Sequence, residues 1–249
     1  SCADADCPFR MDRLVGQEEA EQSVWKVRYA FYAVAVVYAA PRALGLLAAI
    51  VNIWVPLPFS RPSYFILVIF TISTILSFSA IMFVVKSKYR STLDSIGIVR
   101  GRFAVNALLG FAAAFLIMPC AGALYAATVN VTGLVAPPHW FVTTAKAVQS
   151  NWEAASLFVA GCVLGPLTEE VCMRGLLYNA LKRRRTAPSA AVLTSAVFAA
   201  LHFNPAGFLG LFAIGAGFIM LYERTGSLVT PIFAHSTINA LILVSSLPT

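Results

Sequence analysis

The chain has 249 residues, of which 59% are hydrophobic and only 12% charged, and its mean hydropathy is +0.78. Soluble domains carry about 25% charged residues, so this composition leaves no room for a sizeable soluble domain and points to one all-α, polytopic bundle of transmembrane helices. The net charge of +7 does not indicate nucleic acid, because the basic residues sit at the ends of apolar runs, where the positive-inside rule places them.

Residues 1–28 read as a polar N-terminal tail in which Glu18, Glu19 and Glu21 lie close to Lys26 and Arg28, running into an interfacial helix. The chain opens on Ser1, so Met11 as a start and Ser1–Arg10 as the remnant of a leader both stay open. Residues 29–128 hold the N-terminal membrane helices. The first apolar run, 29–57, is interrupted by Pro41-Arg42. Either one kinked helix crosses here, or an interfacial segment precedes a span from near Val36, with Arg42 snorkelling to the headgroups. Pro56, Pro58 and Pro62 close it. Ser63–Val85 is a clean span, since about 20 apolar residues cross a bilayer. A basic loop, 86–102, follows, with Lys86, Lys88, Arg90, Arg100 and Arg102 against Asp94. Phe103–Thr128 is the next span, with Pro119 as an expected kink. Val129–Ser150 is expected to be a loop bearing an interfacial aromatic pair, Trp140-Phe141, with His139 an ordinary loop residue.

Residues 150–247 carry the remaining helices. Ser150-Asn151-Trp152-Glu153 has the capping-box pattern and opens a helix running to Leu181, stopped by Lys182-Arg183-Arg184-Arg185. Thr186-Ala187-Pro188 starts a helix expected to end at Asn204-Pro205. Gly207–Tyr222 and Ser227–Leu247 complete about seven spans. If loop 86–102 is cytoplasmic, alternation puts 182–187 and Arg224 on the same side and leaves only Arg61 and Lys146 opposite. The sequon Asn130-Val131-Thr132 is a chance match. Cys120, Cys162 and Cys172 lie in apolar spans and read as small hydrophobes; Cys2 and Cys7 are close enough in the tail to bridge, but nothing requires it.

From residue 103 onward the acidic residues are Glu153, Glu169, Glu170 and Glu223. Two of them are neighbours inside a membrane helix, where ionisable groups are costly and mark function. Spacing of four puts Glu170 with Arg174, Phe198 with His202, and His235 with Asn239 on common helix faces. At about 1.5 Å per residue, Glu169 lies about 20 Å, His202 about 21 Å, and His235 and Asn239 about 12–18 Å from one membrane face. Polar groups from three helices therefore share a level. Two adjacent carboxylates do not both ionise cheaply there. Arg174 pairs with Glu170, which leaves Glu169 as a desolvated general base. His202 is placed to share the proton of a water, and His235 and Asn239 offer donors to an oxyanion.

The motifs Glu169-Glu170-x-x-x-Arg174, Phe198-x-x-x-His202 and His235-x-x-x-Asn239, in that order in apolar helices, resemble those of the CPBP intramembrane proteases, the CaaX-protease and bacteriocin-processing or Abi-like family that includes type II CaaX prenyl proteases. The resemblance covers about residues 150–245. It implies an all-helical fold with a conical cavity open to cytoplasm and bilayer, and makes 150–247 the catalytic helices. It assigns water activation to Glu169 and His202, support to Glu170 and Arg174, and oxyanion stabilisation to His235 and Asn239. It also implies a membrane lipid environment and a membrane-associated, in some members prenylated, peptide or protein substrate. Cofactor-free hydrolysis is expected, because there is no His-Glu-x-x-His pair; Zn²⁺ on Glu169, His202 and His235 is the alternative. The competing functions are a proton-coupled transporter, which needs a through-path and usually repeat symmetry, and a non-catalytic scaffold or immunity protein on the same fold.

Overall fold

The computed structural model describes residues 27–54, 62–89, 97, 102–136 and 139–248. The tail with Cys2 and Cys7, Arg61 and Arg90, Asp94 and Arg100 of the basic loop lie outside these. Within the described residues the chain forms eight helices: α1 (Val27–Trp54), α2 (Pro62–Tyr89), α3 (Phe103–Thr132), α4 (Trp140–Lys146), α5 (Asn151–Lys182), α6 (Ala187–Ala200), α7 (Phe208–Thr225) and α8 (Val229–Ser246). Five helices, α1, α3, α5, α7 and α8, are long and apolar enough to cross a membrane, and Leu67–Phe83 of α2 and all of α6 are shorter apolar stretches. The molecule is an all-α membrane helix bundle.

The apolar character of the helices is spent on two kinds of contact. Outward-facing residues such as Leu108 and Leu116 of α3 are exposed, as lipid contact requires. Inward, Ala30, Val34, Val37 and Tyr38 of α1 pack on Val171–Leu181 of α5 with Ala190 and Phe198 of α6. Leu67 of α2 joins Phe141, Ala145, Leu157 and Leu243 in a second cluster, and Ala114, Phe218, Ala234 and Ile238 form a third. Where α3 crosses α8, Gly110 lies against the backbone of Thr230 and Ala234, so that any Cβ would overlap it. Small residues are what allow such approach between membrane helices.

Of the two readings of 29–57, the structure takes the single helix, which continues through Pro41. Proline supplies no N–H to the turn before it. Here the guanidinium of Arg42 donates to the Tyr38 carbonyl within that turn, and also to the Leu201 carbonyl. Helix α3 extends past Thr128 to Thr132 and ends on Gly133 at φ 68°, placing the sequon residues in its last turn. The stretch read as a loop contains α4, because His139 caps it by accepting from the Phe141 N–H at 3.3 Å. Helix α6 stops at Ala200 rather than at Asn204. The N–H groups of His202 and Phe203 reach back three residues, to Ala199 and Ala200, and Phe203 turns left-handed at φ 51°. His202 therefore sits in a turn, at the end of α6 remote from Arg185. At the other end Lys182 pairs with Glu223 at 2.7 Å, which sets the ends of α5 and α7 side by side, as alternation requires.

Candidate active site

Helix α5 builds the site by departing from α geometry. It runs as α-helix over Asn151–Phe158, widens to π-helix over Val159–Leu164, returns to α over Gly165–Glu170, and widens again over Val171–Tyr178. Pro166 offers no hydrogen to the carbonyl four residues back, at Cys162, inside the first wide segment. Such π segments concentrate at functional sites, because they release backbone groups and re-aim side chains. Both consequences are seen. The Gly161 carbonyl accepts the Asn239 side-chain amide at 2.8 Å, and the two glutamates fall on the short α turn between the π segments.

Their environments differ sharply. Glu170 is 0% exposed, as is Arg174. Glu170 Oε1 accepts from Arg174 Nη1 at 2.9 Å and meets His235 Nδ1 at 2.9 Å. Arg174 Nη2 continues to the Gly215 carbonyl at 3.0 Å. Its guanidinium lies between the rings of Phe198 and Phe218, at 5.0 and 5.2 Å from their centroids. This is a closed cluster with the charge of Glu170 already engaged. Glu169 is only half-buried, and its Oε2 accepts from the Tyr38 hydroxyl at 2.9 Å. Adjacent in sequence, one carboxylate is locked and the other is presented.

The histidines gather on the same wall. His202 Nδ1 meets the Phe198 carbonyl at 2.7 Å; a carbonyl only accepts, so Nδ1 carries the hydrogen and Nε2 keeps its lone pair. The Phe198 ring lies 4.6 Å from the His202 ring and 6.2 Å from that of His235. Phe198 thus lies against His202, His235 and Arg174 alike. His235 gives Nδ1 to Glu170, so its Nε2 becomes a donor in the imidazolium form. Asn239 commits one amide hydrogen to Gly161 and keeps a second.

Sequence reading missed three groups. Tyr38 touches Glu169, and its ring lies 6.3 Å from that of His202. Arg42, one turn on, holds the Leu201 carbonyl at 3.2 Å and lies over the Phe203 ring. The one available signal was an arginine interrupting an apolar run four residues after a tyrosine. His139 is not an ordinary loop residue: its ring is 6.4 Å from that of His202. Desolvation by the surrounding protein lowers its pKa to about 4, and repulsion from His202 adds to this against the opposing pull of Glu169. Helix α4 brings it there, with Trp140 stacked 4.4 Å from Phe70 and Phe141 buried against Gly161. The site accordingly lies nearer the end of the bundle that carries α4 than the end that carries Lys182.

Among the described residues no three His, Cys, Asp or Glu side chains are grouped as a metal requires. His235 Nδ1 is turned to Glu170 and His202 Nδ1 to a carbonyl.

Comparison with known proteins places this geometry in context. Residues 151–241 match the family described as type II CAAX prenyl endopeptidase Rce1-like. A Bacillus subtilis (strain 168) protein named "Putative membrane peptidase YdiL" is 29% identical over 91 residues, which are 36% of this chain and 37% of that relative's length. No solved structure matches the chain. The segment 151–241, a little over a third of the chain, is thus similar to the type II CAAX prenyl endopeptidases, the same group that the three motifs resemble.

Proposed function

We propose that the protein is an intramembrane endopeptidase that hydrolyses a peptide bond with water activated by Glu169 and His202. The observation that carries this reading is the division of labour between neighbouring glutamates: Glu170 is fully buried with its Oε1 engaged by both Arg174 and His235, whereas Glu169 is half-buried and faces Tyr38. A general base needs a free lone pair beside a desolvated water, and Glu169 Oε1 supplies it. His202 Nε2 is the second acceptor for that water. Attack of the water oxygen on the substrate carbonyl forms the tetrahedral oxyanion as Glu169 takes the proton. The second amide hydrogen of Asn239 steadies it, and His235 Nε2 joins as a donor whenever the ring carries both hydrogens. Glu169 then returns its proton to the leaving amine. No step needs a metal.

The similarity of residues 151–241 to the Rce1-like family supports a membrane-associated peptide or protein as substrate, with a prenylated C-terminal CaaX peptide as the first candidate. The basic loops 86–102 and 182–187 are assigned to the cytoplasm by the positive-inside rule.

The test is cleavage of a farnesylated CaaX peptide by the purified protein in detergent, with and without EDTA, beside Glu169→Gln. The wild type is expected to cleave, EDTA to change the rate less than twofold, and Glu169→Gln to lose at least about a hundredfold, the lower range for a positioned base, without a change in melting temperature. Full activity in Glu169→Gln defeats the reading.

A further inference from the structure

We propose that Tyr38, on α1 and outside the Rce1-like segment, is a positioning residue that fixes which oxygen of Glu169 takes the proton from water. The inference rests on the peptidase reading and adds to it a part of the site contributed by the N-terminal half of the chain.

The geometry is specific. Tyr38 is 8% exposed and its hydroxyl donates to Glu169 Oε2 at 2.9 Å, across 131 residues of sequence. Its ring also lies 6.3 Å from that of His202, so one side chain touches the base and borders its partner. The segment is fastened in place. Arg42 donates to the backbone carbonyls of both Tyr38 and Leu201 and lies over Phe203, which ties this turn of α1 to the turn that carries His202. Val34 and Val37 anchor the same face in the core beside Val171 and Leu177.

The chemistry gives the contact a purpose. A carboxylate offers two equivalent oxygens and a broad torsion about its last bond. With Oε2 held by the phenol, only Oε1 faces the water. When Oε1 is protonated, Oε2 becomes the carbonyl oxygen of a neutral acid and still accepts from Tyr38. The orientation therefore survives the proton transfer, and Tyr38 itself neither gains nor loses a proton. Fixing a reacting group in this way is the kind of positioning whose loss is worth up to about a hundredfold in rate.

The experiment compares wild type, Tyr38→Phe, Tyr32→Phe and Val34→Ala on the farnesylated CaaX peptide. Tyr32 is an exposed tyrosine of the same helix, and Val34 is a buried core residue one turn before Tyr38. Tyr38→Phe is expected to lower kcat by about 10- to 100-fold with KM within about twofold, the split that marks an interaction used in the transition state. Its melting temperature stays at the wild-type value, Val34→Ala lowers the melting temperature with kcat kept, and Tyr32→Phe changes neither. A second readout is independent of turnover: labelling of Glu169 by dicyclohexylcarbodiimide, read by mass spectrometry, rises severalfold in Tyr38→Phe while labelling of Glu170 does not. An unchanged kcat, an effect on KM alone, or unchanged Glu169 labelling overturns the proposal. A wild type that leaves the peptide intact defeats the peptidase reading instead, and the labelling then decides the Tyr38–Glu169 contact by itself.

Discussion

Replacing Arg174 with methionine tests whether the buried cluster of Glu170, Arg174 and His235 holds the bundle together. Both Arg174 and Glu170 are 0% exposed, so the substitution strands a carboxylate out of reach of water. Removing one partner of a buried pair costs about 3–5 kcal/mol. The Gly215 carbonyl, which accepts from Arg174 at 3.0 Å, loses its donor at the same time. His235 remains 2.9 Å from Glu170 and offsets part of the loss, so the lower half of that range is the expectation. For a chain of this size about 1 kcal/mol corresponds to 2–4 °C in Tm, so a loss of about 3–4 kcal/mol gives a fall of about 6–16 °C. The measurement is thermal unfolding in detergent by intrinsic fluorescence. The double variant Glu170→Gln with Arg174→Met removes the stranded charge and keeps the volume, so it is expected to recover at least half of the fall. A loss under about 3 °C in the single variant refutes the reasoning. So does a double variant as unstable as the single, because the penalty would then come from packing against Phe198 and Phe218 and not from charge.

Two further outcomes follow from geometry away from Glu169. Gly110→Ala places a methyl against the Thr230 and Ala234 backbone; overpacking of this kind costs about 1–3 kcal/mol, so its Tm falls, whereas Gly122→Ala, with open space around it, is neutral in the same melting assay. His139 is pushed down to about 4 from an unfolded value near 6.5. Between those values the unfolded chain binds the extra proton and the folded chain does not, so Tm falls as pH drops from about 6.5 to 4 and is level above. His139→Asn keeps a helix-capping acceptor and is expected to flatten that slope; an identical slope in both proteins excludes His139 as its source.

The sequence made the helices legible because lipid imposes a one-dimensional rule: an apolar run near 20 residues crosses, and charge ends it. That rule found α2, α3, α5, α7 and α8 to within a few residues. It failed where the chain obeys a different constraint. Helix α4 is only seven residues long and capped by a histidine, so neither its length nor its start carries the usual signal. Helix α6 ends early because hydrogen bonds to the third residue back tighten its last turn, and propensity does not encode that choice. The π segments of α5 were invisible for a similar reason. In the first of them a carbonyl faces Pro166 and its neighbour is held by a tertiary partner, Asn239, 78 residues away.

The site divides along the same line. Glu170 with Arg174, four apart on one helix, follows from helix geometry alone, and the structure brings them into contact; Phe198 also meets His202, although the turn after Ala200 and not the helix itself aims that ring. Contacts between helices do not follow from it. Nothing in residues 29–57 announces that Tyr38 meets Glu169, because a tyrosine in an apolar run packs well in many environments. Arg42 snorkels in the interfacial alternative for 29–57, an expectation that rests on the same general ground. In the structure it turns to two backbone carbonyls, and one of them belongs to the turn that aims His202. A charge inside an apolar run is costly wherever it points, so its position alone announces that a partner exists, while the identity of that partner is a property of the packed bundle. Residues 151–241 alone therefore under-describe this site: one oxygen of the Glu169 carboxylate is held by Tyr38, on a helix that the motifs do not reach.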